Sequence, residues 1–213
     1  MSNYSREDVD RYFDYSYLPS RRIVHVGSHD AEMTHETGES GTDCQMSEFF
    51  IKAITHLSLI SNKPIVIHMN NLGGDWYHGM SMYDAIRASK AHIYGICWGY
   101  AMSMGSIIIQ ACDSRIVAPN CTFMIHDGFE TLSGTCKAVE RWAKFAAKTR
   151  QRMYEIYFSR MKPAKPRITI KKIEELCSHD TILTANEAVN YGLADWVLET
   201  LDDPYKFEIP RIQ

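Results

Sequence analysis

Apolar positions along this chain keep two rhythms in turn, short runs of strand type and longer stretches with a helical period. Residues 22–27 alternate. The run 64–69 (PIVIHM) is continuous and reads as a buried strand, as do residues 91–97, and shorter runs follow at 115–118, 122–126 and 194–199. Between them lie helical patterns. Asp43 can cap one that places Phe49, Phe50, Ile54 and Leu57 at spacings of three and four. Another passes through Met80, Tyr83, Ile86 and Arg87, and a third covers residues 104–111. The longest, over residues 135–161, sets Val139, Trp142, Phe145, Thr149, Met153, Ile156 and Tyr157 on one face. It exceeds the mean helix of about 11–12 residues, so it is expected to project or to meet a partner chain. Residues 168–176 form a short helix, and Thr184 to Glu187 is a capping box whose helix Gly192 ends.

Polar segments punctuate these elements. Residues 14–22 connect, with Tyr15, Tyr17 and Leu18 as docking groups; residues 28–41 read as a surface loop; residues 70–74 and Pro119-Asn120 read as turns; and residues 162–167 break the pattern with two prolines. No repeat or low-complexity tract occurs. Strands alternating with helices predict an α/β class with crossover connections.

The 213 residues suit a single domain with a sizeable core. A formal charge of −3 gives no basic footprint for nucleic acid or an anionic membrane surface. No apolar run nears the roughly 20 residues that span a bilayer. The opening residues are polar and acidic, unlike a signal peptide, so a cytoplasmic protein is expected. Cys44, Cys97, Cys112, Cys121, Cys136 and Cys177 are scattered without a C-x-x-C pair, which indicates neither a zinc site nor a redox motif. Residues 29–36 (HDAEMTHE) lack zinc-helix spacing and read as a solvated loop rather than a metal site.

Chemistry concentrates at Ser103. It follows an apolar run and a glycine and opens a helical pattern, the strand-to-helix turn at which a hydroxyl stands exposed beside free backbone N–H groups. A serine nucleophile needs a base that accepts its proton near neutral pH. His126, closing the run Phe123-Met124-Ile125 and followed by Asp127-Gly128, is the candidate among nine histidines. The base needs a carboxylate to hold its tautomer, and Asp180 is the candidate. Oxyanion donors could come from the Met104 amide at the helix start and from the Gly73-Gly74 turn, where glycine permits close approach. Each of these residues taken alone is more often structural.

Together they carry a resemblance. Residues 70–74 (NNLGG) with 79–84 (GMSMYD), 99–106 (GYAMSMGS), 118–126 (APNCTFMIH) and 179–195 (HDTILTANEAVNYGLAD) resemble, in order and spacing, successive blocks of the Clp-type serine peptidase family, over roughly residues 12–200. The resemblance implies Ser103 as nucleophile, His126 as base, Asp180 as orienting carboxylate, and the amides of Gly74 and Met104 as oxyanion hole. It implies a crotonase-like fold of repeated ββα units, one peptidase domain over residues 1–213 with a variable segment at 1–11, a handle helix at 134–161 and a tail at 201–213. It further implies an ATP-dependent serine endopeptidase without cofactor or metal, assembled from two heptameric rings into a tetradecamer, with polypeptide substrates and a Clp ATPase as partners. The chain departs from the family pattern at Leu72, where proline is usual, at Met102, where alanine is usual, and in a longer loop at 28–41. It departs again in an insert at 162–167, in residues 127–130 (DGFE) where a glycine-rich strand is expected to pair with substrate, and before Tyr12, where the apolar gating loop is missing.

Other readings make different demands. An acyl-CoA enzyme of the crotonase type would use the glycine amides but give Ser103, His126 and Asp180 no purpose. An α/β-hydrolase would place its acid before its histidine, the reverse of this order. A ring subunit without activity would not need the serine to react.

Overall fold

The computed structural model describes residues 6–27 and 41–198. The loop at 28–40, with the metal reading of its histidines, and residues 1–5 and 199–213 lie outside the described residues. A helix, α1 (Arg6–Tyr15), comes first, where the sequence reading gave only a variable segment. Val9, Tyr12 and Phe13 recur along it at spacings of three and four, a helical stripe the sequence reading passed over, although none of them is buried. The short strand β1 (Tyr17–Leu18) pairs antiparallel with β2 (Ile23–Gly27), which makes the expected docking residues Tyr17 and Leu18 part of the sheet. Tyr15 lies against Phe49.

From β2 onward the chain follows its predicted order, with one strand added at residues 181–183 that the sequence reading did not give. Helix α2 (Cys44–Ile60) starts at Asp43, whose carboxylate accepts from the Met46 N–H at 2.8 Å. Strand β3 (Ile65–Asn71) leads to α3 (Trp76–Ala88), and β4 (Ile93–Met102) to α4 (Met104–Ile108). Next come β5 (Ser114–Val117), β6 (Thr122–Ile125), α5 (Cys136–Met161), α6 (Ile170–Cys177), β7 (Thr181–Leu183), α7 (Ala185–Tyr191) and β8 (Trp196–Val197). The capping box at Thr184 and Glu187 is formed, and Gly192 ends α7 in the left-handed conformation.

Two boundaries differ from the sequence reading and both bear on the site. Strand β4 runs five residues beyond Cys97, up to Ser103 itself. Strand β3 takes in Asn70 and Asn71 after a bulge, so the turn begins only at Leu72. Pairing across the sheet outweighs the turn preference of asparagine.

Strands β2, β3, β4, β5 and β8 lie side by side and parallel. Ile65, Ile67, Met69, Ile93 and Cys97 point to the face that meets Phe50, Ile54 and Leu57 of α2 and Met82 and Ile86 of α3. Burying each such side chain contributes about 1.5–3 kcal/mol. The opposite face carries a small cluster, Tyr94, Ile96 and Ile116 with Val66, Trp98 and Trp196. Buried Arg115 ties the far edge together: its guanidinium donates to Asp195, to Gln110 Oε1 and to the Gly192 carbonyl. Helix α5 is anchored only at its C-terminal half, through Met153, Tyr154, Ile156, Tyr157 and Met161. Toward its start Trp142 and Phe145 are 53% and 44% exposed, as suits a projecting element. Residues 127–135 pair with no other strand among the described residues. Among the described residues no helix is long and apolar enough to cross a membrane.

Candidate active site

Two strand registers build the site. The end of β4 pairs parallel with β6, Met102 opposite Met124, and the Ser103 N–H continues that ladder by donating to the Met124 carbonyl at 3.0 Å. Strand β6 in turn pairs antiparallel with β7, with Ile125 opposite Thr181. One step further along that register sets residue 126 opposite residue 180. Separations of 23 and 54 residues in sequence thus close in space. His126 Nε2 lies 2.7 Å from Ser103 Oγ, and His126 Nδ1 lies 3.0 Å from Asp180 Oδ1. If Nδ1 carries the ring proton and donates it to Asp180, Nε2 is the acceptor facing the serine hydroxyl. The His126 ring is largely covered, whereas the Asp180 side chain is 64% exposed. Solvent therefore screens that carboxylate, and its main effect on the ring is directional.

Ser103 holds φ +49° and ψ −123°, a backbone geometry uncommon for a residue with a side chain. A sharp turn of this kind lifts the hydroxyl clear of both flanking elements. The Gly73-Gly74 turn presses against it. A Cβ built on Gly73 would stand 2.6 Å from Ser103 Cβ, and both glycines have positive φ, +117° and +135°. Only glycine suits both positions. The turn is held from one side: buried Asn71 accepts the Gly73 N–H on Oδ1 at 2.9 Å and donates from Nδ2 to Thr42 Oγ1 at 3.1 Å.

Both expected oxyanion donors sit where amides are spare. Gly74 bridges to Thr42, but that bridge uses the Gly73 carbonyl and the Asp75 N–H, so the Gly74 N–H is directed away from it. The Met104 N–H opens α4, where no intrahelical acceptor exists. Met102 is half-buried at the strand end beside the serine.

Several buried thiols are suppressed as nucleophiles. Burial pushes the thiols of Cys112 and Cys177 up to about 12 and that of Cys121 up to about 11, so they stay protonated and inert near neutral pH. Among the described residues no cluster of three or more His, Cys, Asp or Glu could hold a metal ion.

The sequence reading named the reacting groups but missed their supports. Asn71 was assigned to a turn. Ser106 and Tyr157 passed as an ordinary helix residue and a core residue. The signal was present for Tyr157: a phenol beside Met153, Ile156 and Met161 on the core-facing side of a helix requires a buried hydrogen-bond partner.

The comparisons with known proteins bear on the family and the fold. The family model described as Clp protease matches residues 32–201. A curated relative, the ATP-dependent Clp protease proteolytic subunit of Deinococcus radiodurans, is 31% identical over 196 residues, which is 89% of this chain and 87% of the relative. A solved structure, a point mutant of ClpP1 from Listeria monocytogenes, matches with a TM-score of 0.73 at 24% identity, covering 87% of this chain and 95% of that one. At that identity the likeness speaks for the fold, and the fold is the one the sequence blocks imply.

Proposed function

The chain belongs to the Clp protease family and is a Clp-type serine peptidase; from that premise we propose that it cleaves polypeptides through an acyl-enzyme on Ser103. In this reading His126 Nε2 takes the Ser103 proton as Oγ bonds to the peptide carbonyl carbon. The oxyanion that forms accepts from the N–H groups of Gly74 and Met104. Collapse breaks the C–N bond, and the imidazolium returns its proton to the departing amine. A water molecule then loses a proton to His126 and attacks the ester, the Oγ–C bond breaks, and the proton returns to Ser103. Asp180 holds the ring and stabilises its charged form throughout.

The observation that carries this reading is the unbroken contact line, 2.7 Å from Ser103 Oγ to His126 Nε2 and 3.0 Å from Nδ1 to Asp180. Both distances are of hydrogen-bond length, so the proton can move without rearrangement. An acyl-CoA enzyme would leave that line unused.

Assembly belongs to the same reading. The exposed Trp142 and Phe145 on α5 suit burial against another copy, in a ring-shaped chamber that an ATPase unfoldase would feed. The test combines hydrolysis of a fluorogenic peptide, fluorophosphonate labelling and native mass measurement on the wild type and Ser103→Ala. Hydrolysis and label lost in the variant, with assembled mass unchanged, is the expected result. Equal turnover in both proteins refutes the serine mechanism, and a stable monomer refutes the chamber.

A further inference from the structure

The strained backbone at Ser103 needs restraint on both sides, since unusual φ and ψ persist only when the surroundings over-determine them. Its N–H is held by Met124. Its carbonyl accepts twice from one residue, the Ser106 N–H at 3.0 Å and the Ser106 Oγ–H at 2.6 Å. Ser106 has a single hydroxyl proton, and that proton is committed to the Ser103 carbonyl. Tyr157 Oη, 2.7 Å from Ser106 Oγ, must therefore be the donor in their contact. Both side chains are wholly buried. The hydroxyls form a directed chain: Tyr157 donates to Ser106, and Ser106 donates to the carbonyl of the nucleophile.

We propose that Tyr157 and Ser106 are positioning residues for catalysis, a buried hydroxyl relay through which helix α5 sets the geometry of Ser103; this rests on the serine peptidase reading above. Packing alone does not explain them. Tyr157 stands among Met153, Ile156 and Met161, where phenylalanine would fill the same space without a polar group to satisfy. Three residues earlier on the same helix, Tyr154 Oη donates to Asp127 Oδ1 at 2.7 Å, and Asp127 adjoins His126. The Asp127 N–H is further held by the Cys177 carbonyl at 2.7 Å. One turn of α5 thus grips the nucleophile side and the base side of the site at once. The relay also gives each buried hydroxyl a partner, and among the described residues no buried side-chain N or O lacks one. A displacement of the end of α5 would reach Ser103 through two hydrogen bonds.

Tyr157→Phe removes the first donor and keeps the ring. Ser106→Ala removes the second. The assays are steady-state hydrolysis of a fluorogenic peptide, the rate of fluorophosphonate labelling at Ser103, thermal melting and native mass, on the assembled protein. The relay predicts that Tyr157→Phe lowers kcat and the labelling rate roughly tenfold, with KM within about twofold. The double variant should be no slower than Ser106→Ala alone, because the two hydroxyls act as one unit. Wild-type kcat in both single variants overturns the proposal. So does additivity in the double variant, or activity lost only in proportion to folded, assembled protein. A wild type that fails to label or hydrolyse refutes the serine reading instead, so the two failures are distinguishable.

Discussion

Replacing Gly73 by alanine tests the site at its tightest point. The perturbation is one methyl group. On the native backbone that carbon would lie 2.6 Å from Ser103 Cβ, 3.1 Å from Ser103 Oγ and 3.2 Å from the Met102 carbonyl. Ordinary contact begins near 3.4 Å, so the turn and the serine must part by about 0.8 Å. Ser103 cannot yield freely, because Met124 holds its N–H and Ser106 its carbonyl. The turn cannot yield freely either: Asn71 holds the Gly73 N–H, and the Gly73 carbonyl accepts from Thr42. Misplacing reacting atoms by about 1 Å costs on the order of 100-fold in rate, so kcat/KM should fall by about that factor. The φ of +117° is unfavourable for alanine by roughly 1–3 kcal/mol, and stability should fall by a similar amount. The assay is peptide hydrolysis normalised to labelled Ser103, beside urea unfolding. Gly134→Ala is the control, since Gly134 has φ +146° but meets only Ala138 Cβ at 3.5 Å. It should lose stability and keep its activity within about threefold. Activity of the Gly73 variant equal to that of the control would refute the argument that the turn and the nucleophile are in steric register.

Two further outcomes follow from buried polar groups elsewhere. Burial, then the positive charge of His25, lowers His68 from its usual value near 6.5 to about 4, and His68 Nδ1 already accepts from Trp98 Nε1 at 2.9 Å. As pH falls below 6.5 the unfolded chain takes up this proton and the folded chain does not. Stability should therefore decline between pH 6.5 and 4, by about 1–3 kcal/mol from this group. His68→Gln should flatten the melting temperature across that window, and an unchanged slope in the variant would refute the assignment. Asp195→Asn leaves the guanidinium of Arg115, 5% exposed, without its counter-charge. A loss of about 3 kcal/mol in urea unfolding is expected, and a loss under 1 kcal/mol would show that Gln110 and the Gly192 carbonyl suffice.

The order of the elements other than α1 and β7, the Asp43 cap, the capping box at Thr184 and the long helix could be read along the chain, because each depends on neighbours within four or five residues. So could the candidate residues Ser103, His126 and Asp180, whose surrounding blocks are local text. What placed an imidazole between a hydroxyl and a carboxylate was strand register, Met102 opposite Met124 and Ile125 opposite Thr181. Register is a choice among long-range pairings whose free energies differ by the whole packed sheet, and no local window contains that information. The same reason hid the relay from Tyr157 through Ser106 to Ser103. A tyrosine and a serine 51 residues apart become hydrogen-bond partners only when the core closes around them and removes the water that would otherwise satisfy them.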